Sequence, residues 1–189
     1  MQKKEVKIMK TGFFGHFALG DNAQYNLKIL NYLNSINDHQ GFLNKLKIIT
    51  LASIIESILA DLFYRIENYT CEGVNNISDK NILEIRKILK KYNEKLNFYL
   101  FIDWSKRFEL LGKNLKIYEE LDDIRKLRNR IHNYNLSKLH PKEWKEENIF
   151  TKENHKKAEN LFLLLVQKMD KLYDRGFNYV GSFHYLMDK

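Results

Sequence analysis

Apolar residues recur at three- and four-residue steps over most of this chain, and the residues that break helices are rare. The single proline is Pro141, and glycine is sparse between Asp21 and Gly176. Such spacing over long uninterrupted stretches predicts helices. The first covers about 21–37, with Asp21 as a good N-cap and Tyr25, Ile29, Leu33 and Ile36 at helical spacing. The second covers about 42–66 and is apolar nearly all round, which marks a central helix. Its polar stripe is Ser53, Glu56, Ser57, Asp61, Tyr64 and Arg65. After a loop at 68–77, a third helix covers about 78–93, and a short fourth covers 104–112. The fifth covers about 115–134, where Pro141 forbids its continuing far. The last opens at Thr151 and ends near Gly176, with Ala158, Leu161, Phe162, Leu165, Met169 and Leu172 as its buried face.

Both ends of the chain depart from this pattern. Residues 1–20 and 177–189 are rich in glycine and aromatics and have no helical period. They are expected to be arms that cover exposed core or pair as a small ribbon. The reading is an all-α fold: a bundle of five to six helices over 21–176, flanked by two short non-helical arms.

Composition narrows the class. With 189 residues and 44% apolar content, the chain can bury one sizeable core. Charged residues make up 30%, and no apolar run approaches the roughly 20 residues that span a bilayer, so a membrane role is not expected. Cys71 is the one cysteine, so no internal disulfide forms, and no secretory leader is apparent; the expected location is cytoplasmic. The formal net charge of +8 favours a polyanionic partner through long-range attraction. Solvated surface lysines would give the same excess.

The candidate chemistry lies late in the fifth helix, in Leu127-Arg128-Asn129-Arg130-Ile131-His132-Asn133-Tyr134. At about 100° per residue, Arg125, Arg128 and His132 fall within roughly 60° of one another, along the edge of the apolar arc. Arg128 and His132 are four apart and stack directly, with Asn129 just outside. A guanidinium grips a phosphate with two parallel N–H bonds, and an imidazole moves protons near neutral pH. RNA carries its own nucleophile, the 2′-hydroxyl. Cleavage needs a base for that proton, an acid for the departing 5′-oxygen and positive charge at the phosphate. No metal or cofactor is required. Two copies across a symmetric interface would bring two histidines to one cleft lined by the fifth helices. The same stretch also makes an ordinary exposed helix: Asp122 stands three before Arg125, Asp123 three before Lys126, and basic residues near a helix C-terminus offset its dipole.

This stretch resembles the signature of the HEPN superfamily (higher eukaryotes and prokaryotes nucleotide-binding), in which an arginine precedes a histidine by four to six intervening residues on the helix before the last. Arg125 has six residues between it and His132, and Arg128 has three, one short of the range. Lys126 fills the small polar position that follows the arginine when Arg125 is taken as that residue. The helix order agrees over about 42–175, from Ile-Ile-Glu-Ser-Ile-Leu-Ala-Asp-Leu on the central helix to Trp-Ser-Lys-Arg-Phe-Glu-Leu-Leu before the fifth. The resemblance implies a metal-independent endoribonuclease, of toxin or antiphage type, with RNA as substrate, a homodimeric state and a possible antitoxin protein as partner. Arg128, His132, Arg125 and Asn129 would be the catalytic set, and Arg130 and Tyr134 would contact substrate. Glu56, on the central helix, would hold Arg125 or Arg128 in place. The alternative is a non-catalytic module of the same fold that binds RNA or a protein. His16, His39, His140, His155 and His184 form no metal-binding spacing, and no glycine-rich phosphate loop or nucleophile elbow is present.

Overall fold

The computed structural model describes residues 6–13, 18–68, 73–92, 96–130, 145–175 and 181–186. Within them lie six α-helices: α1 (Ala18–Ser35), α2 (Asn44–Asn68), α3 (Asp79–Tyr92), α4 (Phe98–Arg107), α5 (Leu115–Asn129) and α6 (Lys152–Tyr173). A 3-10 turn at Glu146–Asn148 precedes α6. The bundle is the all-α fold expected from the apolar spacing.

α2 is the central element. It packs against each of the other five helices, and Ile48, Leu51, Ile54, Ile55, Leu59 and Leu62 are fully buried along it. A helix apolar on all sides has nowhere else to go. α6 buries the face foreseen for it, Ala158, Leu161, Phe162, Leu165 and Met169, with Leu172 partly covered. The Thr151 side chain caps its start by accepting from the Asn154 amide at 3.2 Å. α3 covers α2 with Ile82, Ile85 and Leu89, and Arg86 Nε donates to the Ile66 carbonyl at 2.8 Å, satisfying one of the last acceptors of α2.

Two sequence expectations need correction. α1 starts three residues early, so Asp21 sits in its first turn rather than at its cap. Of the four apolar positions that gave it helical spacing, only Leu33 is buried; the inner line is Ala23, Leu27 and Leu30 with Asn34, and Tyr25, Ile29 and Ile36 point outward. α4 covers 98–107 rather than 104–112. Its start is fixed by Asn97, whose side chain accepts from the Leu100 amide at 3.1 Å, and residues 108–112 form a turn with Glu109 and Gly112 at positive φ.

The arms form the ribbon that was one of their two expected forms. β1 (Val6–Thr11) pairs antiparallel with β2 (Gly181–Leu186), from Val6 opposite Leu186 to Thr11 opposite Gly181, beside α1. The chain between ribbon and bundle is tied down by polar groups. Gly12 N–H donates to Asp170 Oδ1 at 2.8 Å, and the Arg175 amide donates to the Gly12 carbonyl at 3.0 Å. Beneath, Asp61 is fully buried between Arg65 (3.3 Å) and Arg175 (3.5 Å), and Phe13 lies 4.0 Å from the Arg65 guanidinium. Arg65 also donates to the Tyr173 carbonyl at 3.2 Å. Gly73, at φ +69, crosses so close that a Cβ would sit 2.5 Å from that carbonyl oxygen.

Candidate functional site

α4 and α5 form a helical hairpin, and its turn is locked from two sides. The Tyr118 hydroxyl accepts from the Leu111 amide at 3.0 Å and donates to the Gly112 carbonyl at 2.8 Å. From α6, Tyr173 donates to the Leu110 carbonyl at 2.6 Å and Lys168 to the Leu111 carbonyl at 3.1 Å. Burial raises both phenol pKa values, so the hydroxyls keep the protons these bonds need throughout the physiological range. A fixed turn fixes the register of the hairpin, which places the first residues of α4 beside the last turn of α5.

Leu121 and Ile124 anchor α5 to the core, with Leu127 partly buried behind them. Arg125 and Arg128 emerge along the edge of that face. Each is held at two points. Arg128 lies 5.2 Å from the Phe98 ring, and its Nη1 forms an ion pair with Glu56 Oε2 on α2. Arg125 lies 5.3 Å from the Tyr99 ring, and its Nε donates to Asp122 Oδ1 at 2.7 Å. Adjacent aromatics at the start of α4 thus carry successive guanidinium groups of α5. Glu56 pairs with Arg128, not Arg125, which settles the pair of possibilities left by the sequence. Arg128 keeps 24% of its side chain accessible, enough for its outer edge to meet a ligand.

The acidic neighbours are those expected from i,i+3 spacing. Asp122 binds Arg125, and also Lys126 at 2.8 Å; Asp123 reaches Lys126 at 3.5 Å. Partial burial alone would raise the Asp122 carboxyl, but hydrogen bonds from Lys126 and Arg125 outweigh it and hold the group below the usual carboxylate range.

Asn129 is exposed at the end of α5, with Oδ1 3.5 Å from Arg128 Nη2. Arg130 caps the helix. Two positions beyond Arg128, it lies about 200° round the axis and does not join the ridge. His132 and Tyr134 lie outside the described residues, as do Cys71, His16 and His140. His155 is buried in α6, and His39 is exposed in the α1–α2 connection. Among the described residues, no group of three or more His, Cys, Asp or Glu side chains is placed to hold a metal ion. No helix among them is long and apolar enough to cross a membrane.

Phe98 and Tyr99 are the site residues the sequence reading missed. The signal was available in Asn97 as an N-cap, which starts α4 early enough to place both rings beside α5. Tyr99 is 53% exposed, so it offers ring surface next to the arginines. Comparison with protein-family models, curated proteins and solved structures gives no match.

Proposed function

We propose that the chain is a metal-independent endoribonuclease of HEPN type, acting as a cytoplasmic homodimer in a toxin–antitoxin or antiphage setting, with an antitoxin protein as its natural inhibitor. One observation carries the reading: the Arg128 guanidinium is fixed by Glu56 and Phe98 on the last turn of α5, four residues before His132. The four-residue spacing is that of the sequence; on a helix it would put imidazole and guanidinium on one ridge.

The roles follow from residue chemistry. Arg128 and Arg125 hold the scissile phosphate and offset the charge that gathers on it during attack. His132 accepts the 2′-hydroxyl proton, and the oxygen so released attacks the adjacent phosphorus. The 5′-oxygen leaves with a proton, from the same imidazole or from that of a second copy. Asn129 orients the ribose, and Tyr134 extends contact along the strand; Arg130, off the ridge, is left out of the site. Tyr99 offers a stacking face for an unpaired base.

A second reading has its own support. Both ridge arginines are already paired with carboxylates, Arg128 with Glu56 and Arg125 with Asp122. That suits a module that binds RNA or protein without cutting. The test is incubation of labelled single-stranded RNA with the full chain in EDTA. The nuclease reading expects fragments from the wild type and none from His132→Ala, at unchanged thermal midpoint. Salt-dependent binding without fragments, equal in wild type and His132→Ala, would instead identify the binding module.

A further inference from the structure

α1 has two apolar lines. Ala23, Leu27 and Leu30 are buried on the side that meets α2. Tyr25, Ile29, Tyr32 and, just past the last turn, Ile36 form the other, with exposures of 66%, 36%, 69% and 37%. Steps of four, three and four residues confine these four to an arc of about 60°, on the side away from the buried line. The stripe ends at Phe42, 78% exposed, which borders the same cleft as Ile36. From Asn22 to Asn37 the only charged residue is Lys28, in a chain that is 30% charged overall. Aromatics without charge are the composition of an interface centre, not of a solvated helix face.

We propose that this face binds the same face of a second copy, with the two α1 helices antiparallel about a two-fold axis. The steps are those of a heptad seam, and the register makes the stripe complementary to itself. Tyr25 of one copy falls opposite Ile36 of the other, and Ile29 opposite Tyr32, so each ring meets an aliphatic side chain. Charge on this face does not oppose the same occupant. Each copy carries +8, and most faces of two such molecules repel. Here the two Lys28 side chains stand about 7.5 Å apart along the axis rather than face to face. The four tyrosines, with Ile29, Ile36 and Phe42 of both copies, cover on the order of 1,000–1,400 Å², at or above the roughly 1,000 Å² where specific interfaces begin. The contact does not depend on the nuclease reading: the outer face of α1 is turned away from α2, the helix that α5 packs on.

The test is light scattering of the full chain at tens of micromolar. The wild type is expected at the mass of two or more copies, and Ile29→Glu/Tyr32→Glu at half the wild-type mass, with an unchanged helical spectrum. Tyr25→Lys, at a more exposed position on the same stripe, repeats the measurement if the double variant loses its helical spectrum. A wild type that remains a single chain, or folded variants that keep the wild-type mass, overturns the proposal. RNA cleavage plays no part in the readout: a single-chain wild type counts against this contact and against the homodimer of the nuclease reading alike, whereas folded variants that keep the wild-type mass count against the α1 contact alone.

Discussion

On the nuclease account Arg128 is the residue through which the site acts, and its surroundings define what can be measured. Phe98 covers one side of the guanidinium and Glu56 binds one nitrogen. Glu56→Gln removes the charge of the anchor but keeps its size. On the nuclease account, turnover falls roughly 10- to 100-fold because the phosphate clamp loses its aim. The thermal midpoint barely moves, since a partly exposed ion pair contributes about 1 kcal/mol or less. Single-turnover kinetics beside a melting curve separate the two effects. Asp122 gives a pH prediction with a definite sign. Its carboxyl is lowered in the folded chain, so its pairs with Arg125 and Lys126 contribute stability that is complete above the unfolded value of about 4 and fades as pH falls through the lower folded value. Between pH 5 and 8 the pairs stay intact, so on the nuclease account they add no pH dependence to cleavage in that window. An activity profile from pH 5 to 8 compared between wild type and Asp122→Asn checks this: the two curves should have the same shape.

At the scale of the elements, the buried group Asp61, Arg65 and Arg175 joins α2, the end of α6 and the chain that leads to the ribbon. Asp61→Ala would leave two guanidinium groups buried without their carboxylate. The expected loss is about 3–5 kcal/mol, or on the order of 10 °C in melting temperature for a chain of this size. A change below about 1 kcal/mol in urea unfolding would show that the network carries no such load. These elements also show what could be read from the chain beforehand. α2 and α6 were legible because burial is written into the type of nearly every residue they contain. The buried face of α1 was not legible because the helix has two apolar lines, and spacing alone does not say which one meets the core. α4 was shifted because the N-cap signal of Asn97 was not read and the helix was started at Trp104 instead. The arginine ridge and the Asp122 and Asp123 pairs were legible because they are local to one helix. The Phe98 and Tyr99 contacts were not, since they depend on how a hairpin turn fixes two helices against each other.

For the whole molecule, the five helices packed around α2 make a frame that carries on its outside the arginine-bearing end of α5 and the apolar face of α1. The ribbon of β1 and β2 closes the chain ends beside α1, so removing either strand is felt at the bundle through Gly12, Asp170 and Arg175 rather than at the ridge. The central claim concerns the ridge: that the end of α5 promotes attack by the RNA's own 2′-hydroxyl. The most direct measurement is mass spectrometry of the ends left on a defined single-stranded RNA after incubation with the full chain in EDTA. The account predicts fragments ending in a 2′,3′-cyclic phosphate, facing a free 5′-hydroxyl, and no such fragments from Arg128→Ala or His132→Ala. Intact RNA with the wild type, or fragments carrying 5′-phosphate ends, would contradict it.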